Sequence, residues 1–259
     1  MNLQDELLRK WETGEQVLAG VQNVSNAPRI SELAGRVGFD MVWLELEHGT
    51  ACFETVETLC MATDAGGAIP VARVQDHQRT HILRTLETGA RILLVPMIHN
   101  AEMAKEIVRY GKFPPIGERG FHGATRGLGY GLGSPLENFD KANRSTHLIA
   151  QIETVEALEN LEEIVNVDGL SGIFVGPGDL SVALGCAAEF QNPRLHEAVS
   201  TAISKARATG KHAGLLGPPD LLKTGLQAGA DFFFCGGDLA NLHPAWTALL
   251  ERARNGFPA

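Results

Sequence analysis

A (β/α)8 TIM barrel is the fold class that this sequence predicts, on three observations. Short apolar runs alternate from end to end with segments whose apolar residues recur at helical spacing, and eight such strand-then-helix units can be marked off. Runs of roughly five to eight residues suit strands buried on both faces, as in a parallel sheet enclosed by helices. The chain has 259 residues, and barrels of this type fill about 250 as one unit. A doubly wound sheet is the main competitor. It favours a Gly-rich phosphate loop after its first strand, and GVQNVSNAP (20–28) is not one.

The units read as follows. QVLAGVQNV (16–24) precedes the amphipathic RISELAGRVG, and DMVWLELEH (40–48) precedes FETVETLCMATDAGG. AIPVARVQ (68–75) leads into RTHILRTLETG, and ARILLVPMI (90–98) into AEMAKEIVRYG. HLIAQIE (147–153) is followed by VEALENLEEIVNV, and LSGIFVG (170–176), further on, by PRLHEAVSTAISKARATG. KHAGLLG (211–217) precedes PDLLKTGLQAG, and ADFFFCGG (230–237) precedes a last helix, PAWTALLERARNG. Gly38, Gly89, Gly111, Gly210 and Gly229 stand where helices close, as a left-handed final residue requires. The one long connection, 113–146, is Gly-rich, and a loop of that length serves a site, a lid or a subunit contact. No linker or low-complexity tract interrupts the pattern, so one domain over 1–259 is expected.

Composition narrows the class. Hydrophobic residues make up 44% and charged residues 20%, enough to bury a sizeable core. Lys and Arg number 22 against 31 Asp and Glu, a net charge of −9, which argues against nucleic acid or an anionic membrane as partner. Cys52, Cys60, Cys186 and Cys235 form no CxxC pair and read as reduced thiols. The start, MNLQDELLRKWETGE, is charged and lacks the apolar core of a secretory signal, and no stretch nears the roughly 18 apolar residues of a membrane span. The expectation is a soluble cytoplasmic protein.

In such barrels chemistry is done at the C-terminal ends of the strands. Alternation puts Val42, Leu44 and Leu46 on one face of the second strand and Trp43, Glu45 and Glu47 on the other, with His48 at the exit. Arg73 lies opposite Ala72 and Val74, and Gln151 and Glu153 lie opposite Leu148, Ala150 and Ile152. Asp179 stands just beyond the sixth strand in GPGDL. His48, Arg73, Gln151, Glu153 and Asp179 therefore converge on one end. Two carboxylates at adjacent strand ends suit a hard divalent cation. An arginine fork beside them suits a carboxylate or a developing oxyanion, and a histidine can accept a proton near neutral pH. Together they describe enolate chemistry on a 2-oxo acid. No lysine ends any of these strands, so a Schiff base is discounted.

Blander readings stand beside these. Asp179 could cap the helix that follows it, His48 could bond only to backbone, and Arg73 could pair with Glu47 or Glu45 in a buried salt bridge. Glu118, Arg119, His122 and Arg126 of the long connection could bind the distal end of an anionic substrate or line a subunit interface. CGGDLAN has the look of a phosphate-cradling helix start, though with few donors.

The stretches GFDMVWLELEHG, VARV, GARILLVPMI, FPPIGERGF, AQIET and GIFVGPGDLS, in that order, resemble the metal-dependent (class II) pyruvate aldolases of the HpcH/HpaI aldolase/citrate lyase family, from about Gly35 to Gly237. The resemblance implies a homohexamer, a trimer of dimers with the last helix exchanged between paired subunits. It implies that Glu153 and Asp179 bind Mg2+, Mn2+ or Co2+, that Arg73 contacts the pyruvyl keto oxygen, and that His48 is the base, acting through water. Gln151 would line the pocket, and backbone N–H groups around Gly178 and Asp179 would hold the substrate carboxylate. Where the family often has an aspartate to orient the histidine, this chain has Glu45, and a second family aspartate appears as Glu87. The implied activity is reversible aldol cleavage of a 4-hydroxy-2-oxo acid to pyruvate and an aldehyde. A citrate-synthase-like or citryl-lyase-like enzyme using the same site is one alternative, distinguished by release of coenzyme A. A non-catalytic barrel that binds a dicarboxylate is another.

Overall fold

The computed structural model describes residues 3–256. Eight strands close a barrel in chain order: β1 Leu18–Asn23, β2 Met41–Glu45, β3 Ile69–Arg73, β4 Ile92–Val95, β5 His147–Ile152, β6 Gly172–Val175, β7 His212–Leu216 and β8 Phe232–Gly237. Every neighbouring pair is parallel, β8 returning to β1. Helix α1 Leu3–Glu12 precedes the barrel. Helices α2 Pro28–Val37, α3 Phe53–Gly66, α4 Arg79–Glu87 and α5 Ala101–Gly111 follow β1 to β4, and α6 Pro135–Ser145 lies in the long connection. Two short helices follow β5, α7 Val155–Glu159 and α8 Leu161–Val165; α9 Pro177–Ala183 and α10 Pro193–Ala208 follow β6. Then come α11 Pro219–Gln227 after β7 and α12 Asp238–Arg254 after β8.

Strand alternation divides the core into two layers. Met41, Trp43, Ile69, Val71, Phe174, Phe232 and Phe234 fill the barrel interior. Val42, Leu44, Ala72, Leu93, Leu148, Ala150 and Ile152 face the helices. Trp43 meets Phe174 and Phe234 edge-on, with ring centres 5.2 and 5.0 Å apart, the arrangement aromatic quadrupoles favour. This apolar plug forms the floor beneath the polar strand ends.

Four features depart from the sequence reading. The charged N-terminus forms α1, whose Trp11 is 1% exposed. Trp11 stacks on His212 at 3.8 Å and meets His147 edge-on at 5.1 Å, closing the N-terminal end of the barrel. The long connection carries α6 and a 3-10 turn, Arg126–Gly131. Because it joins the end of a helix to the start of β5, it lies at that same closed end. The segment after β5 breaks into two helices at Asn160, whose amide donates to His99 O at 2.9 Å. Gly38, Gly89, Gly210 and Gly229 have the expected positive φ, but Gly111 is the last residue of α5 and is not left-handed. Its role is clearance: a Cβ there would come within 2.7 Å of Leu148.

Helix α12 leaves the barrel. Of its 17 residues only Asp238 is buried, while Leu239, Trp246, Leu249 and Leu250 are about half exposed or more. Among the described residues no helix is long and apolar enough to cross a membrane.

Candidate active site

The C-terminal strand ends surround a cavity of about 400 Å³ whose walls include His48, Arg73, Gln151, Glu153 and Asp179. All five sequence-predicted residues are thus brought together. Arg73 ends β3, in register with Glu45 at the end of β2. Its Nη2 and Nε lie 2.6 and 2.9 Å from Glu45 Oε2, and its Nη1 lies 3.0 Å from Glu47 Oε2. The guanidinium rests over the Trp43 ring at 5.0 Å. Held from two sides and beneath, it is fixed in orientation, and the expected buried ion pair is compatible with a functional arginine.

Glu45 does not orient the histidine ring. Its Oε2 accepts from Trp43 Nε1 and Arg73, and its Oε1 accepts from the backbone N–H groups of Glu47 at 2.7 Å and His48 at 3.1 Å. The extra methylene relative to aspartate lets it clamp Arg73 and the turn that carries His48 at once. The carboxylate beside the imidazole is Glu47, 3.9 Å from His48 Nε2, and the His48 side chain is 67% exposed at the cavity rim. Burial pushes the Glu47 carboxyl up, against the pull of Arg73.

Glu87 is a correction. As the last residue of α4 it sits where the chain enters β4, at the closed end of the barrel, and the charge it faces is Arg119. It does not reach this chain's own cavity. Glu118, Arg119, His122 and Arg126 belong to the same far end, so none can hold the distal part of a substrate bound in this chain's cavity. Glu118 pairs with Arg109 at 2.7 Å, and Arg126 pairs with Asp64. The CGGDLAN segment is also corrected. Asp238 accepts from the backbone N–H groups of Val24, Ser25 and Leu239, so a carboxylate of the chain already occupies the place a phosphate would take.

Glu153 is 1% exposed. Its Oε1 accepts from Met97 N at 2.7 Å and its Oε2 from the Gln151 amide. Met97 presents that N–H from a left-handed conformation, φ 55, rare for a side-chain-bearing residue and a form of strain found at functional sites. Burial pushes the Glu153 carboxyl up, and the negative charge of Asp179 adds to the effect. Gly176 leaves the necessary room: a Cβ there would stand 2.5 Å from Glu153 Oε2 and 3.0 Å from Gln151 Nε2. Glu45 and Glu47 pair with the one guanidinium, and Glu153 and Asp179 share its cavity, so the region is short of positive charge. Two carboxylates on one cavity wall, the charge of Asp179 disfavouring ionisation of Glu153, with hard oxygen donors only, fit a divalent cation. Among the described residues no third acidic, histidine or cysteine ligand joins them. The set therefore fits an ion that takes its other ligands from water and substrate.

Sequence reasoning missed the apolar and neutral part of the wall: Gln22, Phe190, Leu216, Pro218 and Ala240. Gln22 had a signal, being one of two amides that end an otherwise apolar strand. Phe190 had none, because it comes from an irregular loop after α9.

Comparison with known proteins gives the context. Residues 20–244 match the family HpcH/HpaI aldolase/citrate lyase. A 2-keto-3-deoxy-L-rhamnonate aldolase of Escherichia coli O9:H4 (strain HS) is 34% identical over 254 residues, which cover 97% of this chain and 92% of the relative. The HpcH/HpaI aldolase from Desulfitobacterium hafniense DCB-2 superposes with a TM-score of 0.88 at 26% identity, covering 97% of this chain and 98% of that one. The citrate synthase SbnG gives 0.85 at 26% identity, with 94% and 95% covered. The chain is an enzyme of the carbon–carbon lyase class, and it belongs to the HpcH/HpaI aldolase/citrate lyase family.

Proposed function

We propose that this enzyme cleaves a 4-hydroxy-2-oxo acid reversibly into pyruvate and an aldehyde, with Glu153 and Asp179 holding a divalent cation (Mg2+, Mn2+ or Co2+). The observation that carries this reading is the clamped Arg73 facing the same cavity as that carboxylate pair. When bound, the cation supplies Lewis-acid polarisation of the 2-oxo acid's oxygens. Arg73 donates to the keto oxygen and stabilises the negative charge that grows there as the enolate forms. Gln151 and the backbone N–H groups of Gly178 and Asp179 hold the substrate carboxylate. In the cleavage direction His48, through a water, takes the proton of the 4-hydroxyl. The bond between carbons 3 and 4 breaks, its electron pair passes into the enolate, and the aldehyde leaves. A proton returned to carbon 3 then gives pyruvate. Glu47 supports the imidazolium formed on the way.

The test needs no knowledge of the aldehyde. Pyruvate is incubated with the protein in D2O, and loss of its methyl proton signal is followed with Mg2+, with dilute Mn2+ and with EDTA. Exchange that needs metal and disappears in Glu153→Ala and Arg73→Ala is expected. No exchange with any metal in folded protein overturns the reading. The likeness to citrate synthase SbnG favours a second reading, in which the same site joins units through a thioester. Release of coenzyme A, rather than accumulation of pyruvate, distinguishes it. We further propose a homohexamer in which α12 is exchanged between subunits, supported by the apolar residues that helix leaves exposed. A cytoplasmic location is supported by the free state of all four cysteines.

A further inference from the structure

At the closed end of the barrel lies a second cavity, of about 550 Å³, which the aldol chemistry does not use. Arg91, Arg119, Arg126 and Lys141 all line it, against Asp64 as the lining carboxylate, in a protein whose net charge is −9. Arg91 is engaged by Asp5 at 2.8 Å and Ser145 O at 3.2 Å, and Arg126 by Asp64. Arg119 is different. It is 5% exposed, its guanidinium lies over the Phe113 ring at 4.8 Å, and its Nε and Nη2 are buried with no hydrogen-bond partner among the described residues. Arg126 Nε is likewise without a partner. A buried guanidinium missing its acceptors is costly unless something brings them. Its planar fork matches the paired oxygens of a carboxylate or phosphate.

The surrounding chain is built to keep this space. Gly89, at φ 97, lets Arg126 lie across it, since a Cβ there would come within 2.8 Å of Arg126 Nε. Gly129, Tyr130 and Gly131 turn the lip through three consecutive left-handed residues. Asn138 and Lys141 of α6 complete the rim. The volume falls in the range of small-ligand sites, roughly 300–1,000 Å³.

We propose that this cavity binds a small polyanion, a phosphate or a dicarboxylate, with Arg119 as its two-pronged anchor and Arg126 and Lys141 as the closing charges. The site stands at the opposite end of the barrel from Glu153 and Asp179 and does not rest on the aldolase mechanism.

The full-length protein is titrated with inorganic phosphate and, separately, with succinate, at ionic strength held constant with KCl. Binding is read by calorimetry and by the thermal unfolding midpoint. Saturable binding of at least one anion is expected, and which arm saturates identifies the source. Arg119→Met, which keeps the apolar stem, is expected to weaken it tenfold or more. Lys141→Ala at the rim and Arg126→Gln are expected to weaken it severalfold, and they decide the matter should Arg119→Met not fold. The proposal fails if neither anion saturates, or if all the folded variants bind as the wild type does. It fails too if binding appears only on dilution to the monomer as measured by light scattering, because a second copy of the chain then fills the cavity.

Discussion

Replacing Glu45 by glutamine changes one oxygen to an amino group and almost nothing in volume. Five donors converge on that carboxylate: Trp43 Nε1, Arg73 Nε and Nη2, and the backbone N–H groups of Glu47 and His48. The amide can keep its oxygen toward Arg73 and Trp43. Its amino group then faces the N–H groups of Glu47 and His48, so two acceptor contacts become donor against donor. Each lost hydrogen bond costs about 1 kcal/mol, and more when a charged group is involved. Breaking a buried ion pair costs about 3–5 kcal/mol. Glu47 still holds Nη1 at 3.0 Å, so the total should sit at the low end, about 3 kcal/mol. The assay is urea unfolding followed by circular dichroism, with a lowered midpoint at unchanged slope. A parallel measurement of pyruvate deuterium exchange separates two roles. If Glu45 positions Arg73, exchange falls about tenfold or more at every pH, and Glu45→Asp recovers part of it. If it tunes His48, the pH profile moves while the plateau rate stands. A variant within about 0.5 kcal/mol of wild type, with its plateau rate intact, would refute the clamp.

Three further outcomes are expected. Trp11→Ala empties the closure of the barrel and should cost about 3–5 kcal/mol, read as a lowered urea midpoint. The same closure should be acid-sensitive. Burial holds His147 below its ordinary value and the His147 contact holds Glu12 below its own, so the unfolded chain takes up more protons as pH falls. Stability is therefore full above about pH 6.5 and declines below it; a flat midpoint between pH 7 and 5 counts against this, and His147→Gln should flatten the upper part of the decline. Gly176→Ala drives a Cβ to within 2.5 Å of Glu153 Oε2. Metal affinity by calorimetry should drop about 10–100-fold with little loss of stability, as for other changes that reorient a ligand.

Much of this was legible in the chain. The strands are short, apolar and flanked by polar turns, and their alternation correctly separated Trp43, Arg73, Gln151 and Glu153 from the helix-facing residues. Strand ends of a parallel barrel all point one way, so finding polar residues there sufficed to assemble the cavity. What was hidden depends on distance along the chain. Helix α1 is visible only once His147 and His212 are known to face Trp11. Glu87 stands at the turn into β4, where the sequence puts it, and that turn lies at the end of the barrel opposite this chain's own cavity. Glu45 pointed the right way, but which of its neighbours it would hold turns on one methylene. The break at Asn160 rests on a hydrogen bond to His99 that no periodicity encodes.

The partnership of Glu45 with Arg73 also polices how the sheet is assembled. The two residues stand level with each other on neighbouring strands. Were β2 to slip by one residue, the apolar Leu44 or Leu46 would stand beside the guanidinium, and Trp43 would leave the interior. Misaligned barrels would then bury a charge without this partner. Strand alignment and the setting of Arg73 are thus tied to one ion pair: the register that keeps Trp43 inside is also the register that partners the guanidinium.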